Sequence, residues 1–149
     1  MLIYLSFVQI YYFLFRMQNI KELLEKLSNE ELEGTERVKI LSEVCSYYIE
    51  KGDLGEALKY AALSTVCTNS PTAIACCLMG NVYHLLENFV WAKIWYEKAI
   101  NNAYLSTEDD ADYHTWIPLM NLSLIATDSG NSEEAEKYLS AAMILRGKK

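Results

Sequence analysis

Apolar residues recur at positions i, i+3 and i+7 in three stretches: Leu41, Val44 and Tyr48; Cys76, Met79 and Tyr83; Leu119, Leu122 and Ala126. That period places an apolar stripe on one helical face, so each stretch predicts a helix packed along its stripe. Each stretch runs into a polar turn: Lys51-Gly52-Asp53, Glu87-Asn88 and Ser129-Gly130-Asn131. A second helix is predicted after each turn. Asp53 with Glu56, and Asn131 with Glu134, have the spacing of a capping box, which takes up backbone N–H groups that the first helical turn leaves unpaired. Ser70 and Pro71 read as cap and first-turn residue of the middle first helix. Pro118 belongs by the same logic near the start of the third, because proline lacks the N–H that a helix interior uses. Upstream, residues 19–27 (NIKELLEKL) read as a further helix.

The three stretches are copies of one another. VCSYYIEKGDLGEA, with Val44, Tyr48, Gly52 and Ala57, aligns at an offset of 35 residues with MGNVYHLLENFVWA, with Met79, Tyr83, Glu87 and Ala92. The third copy, LSLIATDSGNSEEA, puts Leu122, Ala126, Gly130 and Ala135 in the same places at a further offset of 43. The extra length is assigned to an acidic, polar insert at 101–112 (NNAYLSTEDDAD). Ala57, Ala92 and Ala135 are small residues on the second helices, where they let the two helices of a pair approach closely. Units of this kind bury their apolar faces by stacking on their neighbours.

The pattern resembles the tetratricopeptide repeat (TPR). The middle copy matches it at Gly80, Tyr83, Ala92, Tyr96 and Ala99. The first keeps Tyr48 and Ala57 but has Cys45 for the glycine; the third keeps Ala135 and Ala142 but has Ser123 for the glycine and Ala126 for the tyrosine. The resemblance implies an all-α fold: an α-α superhelix of three TPR-like helix-turn-helix repeats with an extra N-terminal helix. The division expected is a hydrophobic segment 1–16, a capping helix 17–37 and a repeat domain 38–149, its units at 38–72, 73–106 and 116–149.

A second resemblance lies in the last two copies. Cys76-Cys77, the run from Ala92 to Tyr96, and Trp116-Ile117-Pro118 after a longer insert are similar to the helical region that follows the catalytic domain in bacterial family-2 glycosyltransferases. Met79 before Gly80 and Ala126 in place of an aromatic depart from that pattern. The catalytic domain of that family is not expected in this chain, which reads as the repeat appendage alone. Asp110-Ala111-Asp112 spells the family's metal-binding motif but sits in the inter-repeat insert, away from a strand end.

Composition narrows the classes further. The 149 residues include 6 Gly and 2 Pro, which disfavours a turn-rich β-sandwich. A net charge of −7 repels phosphates and argues against nucleic acid as a partner. Cys45, Cys67, Cys76 and Cys77 include no C-x-x-C spacing, and all four fall in apolar helical patterns. They are expected to be reduced and structural, which points to a reducing, cytoplasmic setting. Residues 1–15 are uncharged and apolar, but as a helix they would reach roughly 22 Å, short of the ~30 Å hydrocarbon core. Three readings stand for that run: a helix packed on the domain, a weak membrane anchor, which is not favoured, or residues ahead of a true start at Met17.

No Gly-rich phosphate loop, nucleophile elbow or H-E-x-x-H motif occurs, and no catalytic residue, metal site or cofactor is expected. His84 reads as a helical histidine. His114, near Glu108, Asp109, Asp110 and Asp112, reads as part of a solvated insert. Trp91, Trp95 and Trp116 suggest sugar stacking, but Trp95 and Tyr96 fall on core spacing, so packing is the expected role. The repeat register leaves a concave face lined by first helices, with Asn81, His84, Ile117, Met120 and Leu124 as the partner-binding candidates. Only Asn81 occupies a position of the carboxylate clamp used by chaperone-binding repeats, so a terminal carboxylate is not the expected ligand. The expected function is a non-catalytic scaffold that binds a protein or peptide, or a second copy of itself. The alternative is a detached or accessory part of a family-2 glycosyltransferase.

Overall fold

The computed structural model describes residues 7–105 and 111–147, with side chains from 16 to 103 and from 115 to 147. Among these the chain is all-helical: α1 (Phe7–Leu27), α2 (Gly34–Lys51), α3 (Leu54–Ser64), α4 (Ala73–Leu85), α5 (Phe89–Leu105), α6 (Ala111–Asp128) and α7 (Ser132–Arg146). The all-α expectation therefore holds.

The three polar turns share one backbone geometry. Gly52, Glu87 and Gly130 all have positive φ, at 80°, 58° and 76°. The next N–H bonds back five residues to a carbonyl: Asp53 to Tyr48, Asn88 to Tyr83 and Asn131 to Ala126, each at 2.9 Å. That left-handed exit satisfies carbonyls that the helix end would otherwise leave unpaired. The same Asp53, Asn88 and Asn131 then open the second helix, their side chains accepting from the backbone N–H of Glu56, Trp91 and Glu134. One residue thus closes one helix and caps the next. The expected capping is present in its forward half; the reciprocal half is not needed, because the cap's own N–H is already bonded to the preceding helix.

Glu87 stands where the other copies have glycine. A residue with a Cβ in the left-handed region costs roughly 1–2 kcal/mol. Glu87→Gly is therefore expected to raise stability by about 1 kcal/mol, seen as a Tm increase of roughly 2–4 °C in a thermal melt. A lower Tm would show that the Glu87 side chain holds the turn.

Packing follows the pairs. α2 lies on α3, α4 on α5 and α6 on α7, while α3 reaches α4 and α5 reaches α6. The first helices also pack backbone to backbone, α2 with α4 and α4 with α6, whereas α5 reaches α7 through the Lys93 and Glu134 side chains. The first helices therefore form a continuous inner row. Small buried residues set the close spacing: Ala57, Ala61, Ala92 and Ala99 are fully buried. One core cluster joins α2, α3 and α4 through Cys45, Ala57, Leu78, Met79 and Val82. Another joins α4, α5 and α6 through Cys76, Cys77, Tyr96, Leu122 and Ile125. Each fully buried large apolar side chain contributes roughly 1.5–3 kcal/mol of transfer energy.

α1 packs on α2 through Ile20, Leu23, Ile40, Val44 and Tyr47. The Arg37 guanidinium fastens the connection, donating to the carbonyls of Leu27 (2.9 Å), Leu32 (3.1 Å) and Asn29. It thereby satisfies the carbonyl of Leu27, the last residue of α1, and ties the connecting loop to α2. No described helix is long and apolar enough to cross a membrane. Residues 1–6 lie outside the described residues, and α1 runs without a break across the boundary expected at 16/17.

Three local expectations are corrected. The cap of α4 is Thr72, which accepts from the Ala75 N–H, and not Ser70. Pro71 sits outside the helix, its carbonyl held by the Asn102 side chain at 2.6 Å. Pro118 lies two turns inside α6, fully buried, because α6 begins at Ala111. The insert expected over 101–112 is partly helical at both ends, as α5 continues to Leu105. Polar composition hid the helix: an acidic residue such as Asp112 suits the positive end of a helix dipole as well as it suits a loop.

Candidate functional site

The inner row of first helices encloses a half-open cavity of about 330 Å³, lined by Ile49, Asn81, His84, Leu85, Tyr96 and Asn121. Ile49 comes from α2, Asn81, His84 and Leu85 from α4, Tyr96 from α5 and Asn121 from α6. The walls at Ile49 and Leu85 are apolar, and the floor is a hydrogen-bonded polar cluster.

Tyr96 is the centre of that cluster. Its ring is fully buried, and its hydroxyl donates to Asn81 Oδ1 at 2.9 Å. Asn121 Nδ2 donates to Asn81 Oδ1 and to the Tyr96 oxygen, both at 3.2 Å. His84 Nδ1 lies 3.3 Å from the same oxygen. Burial pushes the Tyr96 hydroxyl well above its ordinary pKa, and the Cys77 thiol nearby adds to the effect. The hydroxyl is therefore a neutral donor across the physiological range. Among the described residues, the Asn81 NH₂ and the Asn121 carbonyl oxygen have no protein partner, and no buried side-chain polar atom is left unpaired. Those two groups are solvated, and they belong to residues that line the cavity, one offering a donor and the other an acceptor.

Gly80 makes this arrangement fit. A Cβ there would lie 2.5 Å from Tyr96 Cδ1, so the ring occupies the space that a side chain would take. The other pairs solve the same contact differently. Cys45 and Ser123 stand at the equivalent positions and donate to the carbonyls of Ala57 (3.4 Å) and Ala135 (3.0 Å). Their partners at the Tyr96 position are Ala61, which is small, and Leu139, which is exposed.

No protein-family model matches the chain, and no curated protein matches it.

Of the sequence candidates, Asn81 and His84 meet in the cavity. Ile117 is half-buried against the core cluster of α4, α5 and α6. Met120 is half-buried and Leu124 is 52% exposed; neither lines the cavity. Tyr96 and Asn121 are cavity residues that sequence reasoning did not select. Asn121 occupies the position of Leu78 in the preceding pair, which faces back onto α2 and α3. The signal for Asn121 was a lone amide in the apolar run IPLMNLSLI.

The four cysteines are free. Burial pushes the thiols of Cys45 and Cys76 up to about 11 and that of Cys77 up to about 12. All three are neutral near pH 7 and act as core atoms, because the thiolate is the reactive form. Among the described residues no group of His, Cys, Asp and Glu could hold a metal. His114 and the acidic insert fall outside the residues whose side chains are described. Trp95 packs against both inner core clusters, and Trp116 lies under Arg146 at 5.6 Å, so these two rings serve packing. A second, more polar hollow of about 390 Å³ is lined by Asn131, Glu133, Glu134, Lys137 and Tyr138. Asn131 caps α7, and the others lie on its first two turns.

Proposed function

We propose that this chain is a non-catalytic interaction module, a TPR-like superhelix of three helical pairs that binds a protein or peptide segment along its inner row of first helices. The observation that carries the reading is the cavity between α2, α4 and α6. It pairs apolar walls with one unused amide donor and one unused amide acceptor, the complement of a peptide group beside a small apolar side chain. Its volume, about 330 Å³, suits a side chain and its backbone. The likeness to the helical region of family-2 glycosyltransferases rests on Cys76-Cys77, the run from Ala92 to Tyr96 and Trp116-Ile117-Pro118; Cys76, Cys77, Ala92, Tyr96 and Pro118 are buried and Trp95, Trp116 and Ile117 half-buried, so it bears on the fold more than on the binding surface.

The reading is tested by selecting phage-displayed random peptides on the immobilised chain and measuring their affinity by titration. Enriched peptides are expected to bind with micromolar Kd. His84→Ala and Asn121→Leu should weaken them about tenfold, or ~1.4 kcal/mol, with the fold retained by circular dichroism. Absence of enrichment, or binding indifferent to both substitutions, overturns the reading.

A further inference from the structure

The end of the α4–α5 pair carries an apolar patch that starts at the groove's rim, at Leu85, and runs outward over Leu86, Phe89, Val90, Trp91 and Ile94, all exposed, with Val90 at 72%. Phe89 stands edge-on to His84, and Trp91 stacks on Tyr83 at 6.2 Å, so the patch is held on an ordered base. The other two pairs supply an internal control. Their turns have the same left-handed residue, the same five-residue back-bond and the same cap. Yet the six positions read Glu50, Lys51, Leu54, Gly55, Glu56 and Lys59 in the first pair, and Asp128, Ser129, Ser132, Glu133, Glu134 and Lys137 in the third. The turn therefore forms with polar residues, and folding does not require the apolar set. A contiguous exposed apolar patch of this kind marks a docking surface.

Charge decides among occupants. The neighbouring turns border the patch on both sides. Lys93 of α5 bonds Glu134 of α7 at 2.9 Å, and Ile49 of α2 shares the cavity wall with Leu85. The cations there are already engaged: Lys59 by Glu56, Lys137 by Glu133 and Arg16 by Glu50, while Lys51 lies over the Tyr47 ring. Asp53, Glu87 and Asp128 form no ion pair among the described residues. The border of the patch is therefore net acidic. A second copy would set these carboxylates against each other, and an anionic bilayer surface would be repelled by them.

We propose that the α4–α5 turn is a second docking surface, adjoining the groove, for a cationic amphipathic helix of a protein partner. Its apolar stripe would cover Phe89, Val90, Trp91 and Ile94, and its lysines or arginines would meet Asp53, Glu87 and Asp128. Large aromatics in a desolvated centre with charges at the rim are the usual source of affinity in such contacts.

The test titrates the full chain into a fluorescein-labelled amphipathic helix of leucine and lysine, followed by anisotropy, with a leucine–glutamate helix as the counterpart. The key variant is Val90→Glu with Ile94→Lys. It leaves net charge unchanged and rebuilds the Glu133–Lys137 pair that α7 already carries at 2.8 Å. Val90→Glu alone repeats the measurement should the double variant unfold. The lysine helix is expected to bind, the variant to weaken it tenfold or more, and the glutamate helix not to bind. Equal binding of both helices, or lysine-helix binding unchanged in the variant, overturns the proposal. So does a dimer in sedimentation velocity that the variant dissociates, or co-sedimentation of the chain itself with phosphatidylserine vesicles that the variant abolishes.

Discussion

Gly80→Ala is expected to destabilise the chain by about 2 kcal/mol, a fall in Tm of roughly 4–8 °C. In an unconstrained helix the same change would be favourable by about 1 kcal/mol, because glycine loses more backbone freedom on folding than alanine. Here the new Cβ would meet the Tyr96 ring at 2.5 to 2.6 Å. The ring cannot withdraw, because it is fully buried and its hydroxyl is engaged with Asn81, Asn121 and His84. Overpacking of this kind costs typically 1–3 kcal/mol and sometimes more, which outweighs the propensity gain. The decisive control is the background. With Tyr96→Ala already present, Gly80→Ala should change sign and stabilise by about 1 kcal/mol, the signature of direct coupling in a double-mutant cycle. A Tm unchanged by Gly80→Ala in the native background would show that α4 and α5 separate freely at this contact.

Tyr96→Ala is expected to cost about 3–5 kcal/mol, the usual range for removing a large buried aromatic ring. It takes the middle out of the core cluster shared by α4, α5 and α6, and it removes the cavity floor with it. Tyr96→Phe separates the two roles. The ring stays, and only the hydroxyl's contacts with Asn81, Asn121 and His84 are lost. Asn121 still donates to Asn81, and both amides line a cavity that water enters, so the cost should be about 1 kcal/mol. Urea denaturation of both variants checks this. Equal losses in the two would mean that the hydroxyl network, and not the ring, holds the helical pairs together. Peptides selected on the native chain should bind Tyr96→Phe more weakly, because the floor that aims Asn81 and Asn121 is loosened.

The helices and their turns were legible because their causes are local. The period of Leu41, Val44 and Tyr48 and its two copies locates α2, α4 and α6. The internal alignment finds Gly52, Glu87 and Gly130 as one structural position before any coordinate is seen. Asp53 and Asn131 act as the caps that their spacing indicates. Where local rules misled, two explanations of one residue competed. Ser70 and Thr72 are both competent caps; Thr72 takes the role by accepting from the Ala75 N–H, and Asn102 holds the Pro71 carbonyl ahead of it. Pro118 reads as a helix start because no sequence rule shows that its position is fully buried two turns into α6.

Of the concave-face candidates, the structure brings Asn81 and His84 together at the cavity and leaves Ile117, Met120 and Leu124 off it. Asn81 and His84 follow from the stripe of α4 that opposes its buried face. Asn121 does not, because the stripe rule asks which face of α6 packs on α7, whereas Asn121 packs across to the preceding pair. Tyr96 was identified from its pattern as a core residue, and it is one; its hydroxyl nevertheless supplies the floor of the cavity.

By itself the sequence determined that this chain is helical, that its helices come in three similar pairs, and where each pair turns. Periodicity, capping and the left-handed turn act over a few residues and are written where they act. The tertiary structure alone decided which amides meet over Tyr96, that glycine at position 80 is a steric necessity, and that the apolar turn of the middle pair lies between acidic neighbours. Those facts depend on side chains up to 40 residues apart in the chain, such as Asn81 and Asn121, and their distance is set only when the pairs stack.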